Sequence, residues 1–238
     1  MIKVTDVGEN DRLLTLLTKN NGIIKAFASN AKKITNKYYA ATSVFCFSDF
    51  TLRDVKGSYR VSDAVLKHSF FRLSYDVKAL SLCQYFCELA ETLSPPDSDS
   101  ESMLRLLLNT FHFILNKTKP LPILKAIFEL RSLSISGYMP DLVGCLECGE
   151  FDSSQMYFFV EDGVLRCKRC KEENDLGYYL DATLISAMRY IVYSDFEKLF
   201  SFEIPIEKAE RLSKITEKFT TAQTEKKFRT LDFYYSMD

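Results

Sequence analysis

Four cysteines constrain this chain more than any other feature. Cys145 and Cys148 form one Cys-x-x-Cys pair, Cys167 and Cys170 form a second, and 18 residues separate the pairs. That spacing falls within the pattern of four-thiolate zinc sites. Two thiolates three positions apart can face one point about 2.3 Å away, the ordinary Zn–S distance, and two such knuckles complete a tetrahedron. The residues between the pairs suit this role. Met156–Val160 reads as a strand, Asp162-Gly163 as a turn and Val164–Arg166 as the returning strand, so a hairpin brings the second knuckle to the first. Gly149 lets the backbone curl, and Lys168 and Arg169 offset part of the thiolate charge. The expected ion is structural. A catalytic zinc needs an open position and usually histidine or carboxylate ligands, and the chain has only two histidines, His68 and His112. A redox Cys-x-x-Cys would open a helix in a βαβ unit, and none is visible. The bland alternative is four cysteines packed as small hydrophobes. That same alternative is the preferred reading for Cys83 and Cys87, which share a helical face with Leu80, Phe86 and Ala90.

Ahead of the cysteines, the first 67 residues read as strands and tight turns. Ile2–Val7, Arg12–Thr18, Ile23–Ser29, Val44–Arg53 and Tyr59–Leu66 are the strands. Gly8–Asp11, Asn21-Gly22 and Lys56-Gly57 are the turns. Five short strands with one longer connection, Asn30 to Thr42, fit a small closed barrel, since closure removes exposed edges. The oligonucleotide-binding barrel (OB-fold) is the candidate.

From Ser74 the hydrophobic period lengthens to that of a helix. One helix ends near Leu93 at Ser94-Pro95-Pro96, and Ser98 with Glu101 reads as a capping box opening a second that runs to Asn116. A third runs from Pro120 to Ser136, stopped by Gly137, and two more follow over 181–193 and 205–221. The expected class is therefore α+β: an N-terminal five-stranded OB-type β-barrel, then an α-helical domain with an inserted four-cysteine zinc hairpin. The expected domains are residues 1–73 for the barrel, 74–144 with 176–238 for the helical domain, and 145–175 for the zinc insert.

Charge divides the chain in the same place. Residues 1–73 hold 12 Lys/Arg against 6 Asp/Glu, a net of +6, and the remainder holds 19 against 26, a net of −7. A basic segment concentrates phosphate, whereas the acidic remainder repels it. Arg12, Lys25, Lys32, Lys33, Lys37, Arg53, Lys56 and Arg60 lie among aromatic residues that include Tyr38, Tyr39 and Phe45. Cations that hold phosphates beside rings that stack bases are the chemistry of single-stranded nucleic-acid binding. A solvated lysine-rich surface over packed tyrosines is the alternative. No Walker-type phosphate loop and no Ser/His/Asp arrangement suggests catalysis. Asp97, Asp99 and Glu101 read as a solvated helix start.

No stretch approaches the roughly 18 uninterrupted apolar residues of a membrane span. The N-terminus lacks the basic and apolar blocks of a secretory signal. The expected location is the cytoplasm, where thiols stay reduced and seven cysteines serve metal rather than disulfides.

Three segments carry a family resemblance. They are Gly8-Glu9-Asn10-Asp11-Arg12-Leu13-Leu14-Thr15-Leu16-Leu17-Thr18 with Asn21-Gly22; Phe128-Glu129-Leu130-Arg131 leading through Gly137-Tyr138-Met139-Pro140-Asp141-Leu142 into Cys145-Leu146-Glu147-Cys148-Gly149; and Gly163-Val164-Leu165-Arg166-Cys167. The chain resembles the RecO family of bacterial recombination mediators over nearly its whole length. The resemblance implies a non-enzymatic protein of DNA repair and recombination after DNA damage. Such a protein binds single- and double-stranded DNA, anneals complementary strands and, with RecR, helps load RecA on DNA coated by single-stranded DNA-binding protein (SSB). It also implies binding of the acidic C-terminal tail of SSB, for which Lys125 or Arg131 is the nearest basic residue here. Residence in the bacterial cytoplasm, with nucleoid association during repair, follows from the same resemblance. In place of an arginine- and glycine-rich connection, this chain has Asn30–Lys37, in which lysines act as simpler point charges. Two other readings remain open: a zinc-stabilised protein-interaction adaptor that does not bind DNA, and a zinc-dependent hydrolase or redox enzyme.

Overall fold

The structure of the chain, a computed structural model, describes residues 1–151 and 155–237. Residues 152–154 of the expected hairpin insert, and residue 238, lie outside them. The chain forms two compact units. Unit 1 is Met1–Asn116 with Phe228–Asp238, and unit 2 is Lys117–Lys227.

Unit 1 begins with five strands: β1 (Lys3–Val7), β2 (Asp11–Leu17), β3 (Ile23–Ala28), β4 (Cys46–Val55) and β5 (Ser58–Ser69). They form one sheet in the order β1-β2-β3-β5-β4, antiparallel except for β3 beside β5. Alternation sets the faces. Leu14, Leu16, Ala26 and Ala28 are buried on one side, with Val61, Phe50 and Leu52 packed against them. That periodicity of two is why the sequence reads as strands.

The expected closed barrel is not found. No strand pairing joins β4 to β1 among the described residues. Just ahead of the two edge strands, Met1 N donates to Cys46 O (2.9 Å) and Phe45 N donates to Met1 O (3.1 Å). Among the described residues β1 pairs only with β2, and a cavity of about 660 Å³ is lined by β4 residues Phe47, Phe50 and Leu52 together with Met1, Leu16 and Phe111. The reason is geometric: β1 is five residues long while β4 has ten, so most of β4 has no opposing strand.

The β2–β3 connection shows why Asn21 is followed by glycine. Gly22 has φ +59, and a Cβ there would lie 1.8 Å from Pro95 O. Thr18 N donates to Gly22 O (2.9 Å) and closes the turn.

Three helices complete unit 1: α1 (Val77–Leu93), α2 (Glu101–Leu115) and α6 (Arg229–Tyr235). Asp76 caps α1 by accepting from Ala79 N. The expected capping box of Ser98 and Glu101 is corrected. The cap of α2 is Ser100, Ser98 Oγ turns back to Pro95 O (2.7 Å), and Glu101 pairs with Lys19 (2.8 Å). The helix begins later than the motif implies, so these side chains serve the loop instead. Helix α6, absent from the sequence expectations, packs on α1: the Phe228 and Tyr85 rings are 5.3 Å apart and Thr230 donates to Glu88 (2.7 Å). Cys83 and Cys87 are buried in α1.

Unit 2 contains α3 (Leu121–Ile135), α4 (Ala182–Tyr193) and α5 (Ile206–Thr224). Between α3 and α4 lies a four-stranded sheet of β6 (Asp141–Cys145), β7 (Met156–Phe159), β8 (Val164–Cys167) and β9 (Tyr178–Leu180), in the order β6-β8-β7-β9. The β7–β8 pair is the expected hairpin. Helix α3 is apolar almost all round, so it is buried on several sides. Asp181 caps α4 through Leu184 N and also pairs with Lys208 of α5.

Candidate metal centre and nucleic-acid interface

The two knuckles are delivered by the small sheet. Cys145 ends β6 and Cys167 ends β8, and these strands run parallel, tied by Asp141 N to Gly163 O (2.8 Å) and Leu146 N to Leu165 O (2.8 Å). Each knuckle then folds back on its first cysteine. Cys145 O accepts from Gly149 N (2.8 Å), with Gly149 at φ +71. Cys167 O accepts from Cys170 N (3.0 Å) and Lys171 N (2.9 Å). The result places all four Sγ atoms within 4.8 Å of one another. A tetrahedral zinc tetrathiolate requires sulfurs roughly 3.8 Å apart, and Cys148 Sγ lies 3.8 Å from Cys167 Sγ. The donor set therefore fits a thiophilic ion and could hold one. Two ligands, Cys145 and Cys167, are buried, whereas Cys148 is exposed.

The thiols are already differentiated. The backbone N–H of Glu150, then the Arg169 guanidinium (Nη2 to Sγ, 3.5 Å), lower Cys148 to about 6. Hydrogen bonds from Cys170 to Cys148 and Cys167 push Cys170 up to about 12. Arg169, read from sequence as charge compensation, lies where it can play that part.

The sequence-predicted basic residues of unit 1 separate into two groups. Arg12 and Lys32 both reach Asp6, at 3.8 and 3.2 Å, and Lys37 reaches Asp63 at 3.6 Å. Arg12 also lies over the Tyr39 ring and Lys37 over Tyr38, whose hydroxyl donates to Ser62 O (2.8 Å). By contrast Lys25, Lys33, Arg53, Lys56 and Arg60 are exposed, and none has a carboxylate partner among the described residues.

Strand register shows what Lys25, Arg53 and Arg60 of the second group share. Thr5, Leu13, Phe27, Arg60 and Arg53 are successive partners across all five strands, on the face opposite the Leu14–Ala26 core. The adjacent row is Lys3, Thr15 and Lys25. Lys3, Lys25, Arg53 and Arg60 thus stud one outer face, and Arg53 sits directly opposite Arg60. Like charges so placed are destabilising unless something anionic lies over them. Arg60 covers the half-buried Phe27 ring, 5.4 Å from its centroid. Lys3 and Phe27 were not singled out from the sequence. The signal was the alternation in Ile23–Ala28, which puts Phe27 and Lys25 on the side away from Ala26 and Ala28.

Lys125 and Arg131 lie in quite different settings. Lys125 is 1% exposed, with Nζ 2.8 Å from Glu129 Oε1, 3.0 Å from Glu217 Oε2 and 3.1 Å from Ser213 O. Glu129 is fully buried and its other oxygen accepts from Thr216 Oγ1. Arg131 Nη1 donates to Ile191 O (3.2 Å) and Val192 O (2.6 Å) at the end of α4, and its guanidinium lies over Phe196. Both cations bind neighbouring helices within unit 2, and Lys125, buried between two carboxylates, offers no open charge to an acidic tail, contrary to the expectation for it, whereas Arg131 is half-buried and bonded to carbonyls. The Phe-Glu-Leu-Arg segment is a packing device: Glu129 joins α3 to α5 and Arg131 joins α3 to α4.

No helix among the described residues is long and apolar enough to cross a membrane.

Comparison with known proteins agrees along the chain. Residues 1–70 match the family model "Recombination protein O N terminal" and residues 74–232 match "Recombination protein O C terminal". A protein of Acetivibrio thermocellus named "DNA repair protein RecO" is 31% identical over 241 aligned residues, covering 100% of this chain and 95% of that protein. Proteins of the same name from Caldicellulosiruptor bescii and Clostridium novyi are 29% and 26% identical, each over 98% of this chain and over 95% and 91% of their own lengths.

Proposed function

Because the chain belongs to the RecO family, DNA repair proteins of the recombination pathway, we propose that it is a non-catalytic mediator that binds single- and double-stranded DNA through the outer face of its five-stranded sheet. The observation that carries this reading is the set of uncompensated cations on that face, Lys3, Lys25, Arg53 and Arg60, in a chain whose remainder is acidic. Phosphate supplies the countercharge that the fold withholds, and release of condensed counterions drives binding without regard to sequence. Lys33, Lys56 and the Arg12–Lys32–Lys37 group with Tyr38 would extend the path of the strand. With phosphate repulsion neutralised, complementary strands meet and pair, and no covalent bond is made or broken.

The proposed partners are DNA, RecR, the C-terminal tail of SSB and, indirectly, RecA. The proposed location is the bacterial cytoplasm, at the nucleoid during repair. Residues 1–73 would be the DNA-binding domain, 74–144 with 176–238 the helical one, and 145–175 the zinc insert. Cys145, Cys148, Cys167 and Cys170 would hold one structural zinc, whose free energy of binding contributes to folding. Of the two residues expected to hold the acidic tail, buried Lys125 is set aside and the half-buried Arg131 remains the candidate.

The test is annealing of complementary oligonucleotides coated with SSB, across a salt series. The wild type should accelerate annealing. A Lys25/Arg53/Arg60 alanine variant should lose the acceleration, and a Lys32/Lys33/Lys37 variant should lose less, because Lys32 and Lys37 already face carboxylates. No acceleration by the folded, zinc-loaded wild type would favour the adaptor reading.

A further inference from the structure

Phe27 stands at the centre of the cross-strand row, between Leu13 on one side and the Arg60–Arg53 pair on the other. Phe27, like its cross-strand partner Leu13, is a half-buried apolar residue on the side of the sheet that also carries the exposed Lys3, Lys25, Arg53 and Arg60. Its neighbours explain its shape but not its presence: the core on the opposite side is complete with Leu14, Leu16, Ala26, Ala28 and Ala31. One face of the ring carries the Arg60 guanidinium, so a flat group fits over it.

We propose that Phe27 is a base-stacking platform, and that this part of the sheet takes an unpaired nucleotide, its base on Phe27 and its flanking phosphates on Arg60 and Arg53. This rests on the DNA-binding reading and deepens it. The base takes the place of the guanidinium over the ring. Arg60 then turns to the phosphate, where, beside Arg53, it relieves the like-charge pairing across β4 and β5. Leu13 lines the far edge of the base, and Lys25 and Lys3 receive the backbone as it crosses to β1. A duplex cannot use the platform, because its bases are already stacked on one another. The face therefore discriminates between single strand and duplex through one ring, while the cations serve both.

The experiment measures affinity by fluorescence anisotropy, at one fixed salt concentration, for a thymidine oligonucleotide, an abasic strand of equal length and a duplex. Wild type is compared with Phe27→Leu, which keeps an apolar side chain and is checked by melting, and with Phe27→Tyr, which keeps a ring. Base–aromatic stacking predicts that the wild type prefers the thymidine strand over the abasic strand by about five- to 150-fold. Phe27→Leu should abolish that preference while leaving abasic-strand and duplex affinities within about twofold, and Phe27→Tyr should retain it. An unchanged preference in Phe27→Leu, or no preference in the wild type, overturns the stacking role while leaving electrostatic DNA binding intact. Failure of the wild type to bind any of the three would instead overturn the DNA reading itself.

Discussion

Replacing Lys125 with methionine tests whether the buried ions of unit 2 form one coupled structure. Lys125 is 1% exposed and Glu129 0%, and the ammonium is held by two carboxylates and a carbonyl. Methionine matches the length of the lysine stem but supplies no charge. Glu129 then keeps its hydrogen bond from the Thr216 hydroxyl but loses the buried ammonium, while Glu217, 25% exposed, can turn to water. Removing one partner of a buried pair costs about 3–5 kcal/mol, because the other ion has been stripped of water and left alone. Unit 2 runs from Lys117 to Lys227, a size at which each kcal/mol moves the melting midpoint by roughly 4 °C. Lys125→Met should therefore lower that midpoint by about 12–20 °C in calorimetry. Adding Glu129→Gln removes the stranded charge and should restore most of the loss. A single variant that melts like the wild type would refute the reasoning. So would a double variant whose losses simply add.

Stripping the metal with a strong chelator, or Cys145→Ser, should lower the midpoint of unit 2, and mass spectrometry of the native protein should find one zinc per chain. In the metal-free chain, iodoacetamide should modify Cys148 with a midpoint near pH 6, the thiolate predominating above it. Cys87, which burial pushes up to about 12, should resist at neutral pH, and peptide mapping separates the two. Alanine at both Arg53 and Arg60 should reduce the slope of log affinity against log salt for single-stranded DNA by about 1.4, at roughly 0.7 per phosphate contact. Gly22→Ala should cost about 1–3 kcal/mol in urea denaturation, since the added Cβ meets Pro95 O at a left-handed backbone position.

Much of this was legible in the sequence, and the failures have physical causes. The five strands emerge from a period of two, and the knuckle spacing leads directly to four sulfurs within 4.8 Å. Strand β6 escaped because Pro140 precedes it and Gly144 interrupts it next to the first knuckle, and β9 because it has only three residues. Helix α6 escaped because Arg229–Tyr235 has no side-chain cap and spans barely two turns. Barrel closure is a matter of matching strand lengths, and local alternation does not carry that information. Lys125 misled for a different reason. Charge suggests surface, yet Leu121–Leu130 holds only Lys125 and Glu129 as charged residues, four apart in an otherwise apolar run. A lone i,i+4 pair in a helix apolar on all sides is the signature of buried ions. The outer-face platform is a property of register between distant strands, and it becomes visible only when Phe27 is placed beside Arg60.

Unit 1 opens with Met1 and is completed by Phe228 and α6, with all of unit 2 intervening in the chain. During synthesis the sheet, α1 and α2 emerge first, but the cover over Tyr85 does not exist until Phe228 and α6 have followed unit 2 out of the ribosome. At about 5–20 residues per second, translating Lys117–Lys227 takes roughly 6–22 s. Throughout that interval the apolar side of α1 that receives Phe228 stays wet and open to chaperones or to other nascent chains. A stop after Lys227 would spare every residue of unit 2 and yet damage unit 1, most of which is translated before it.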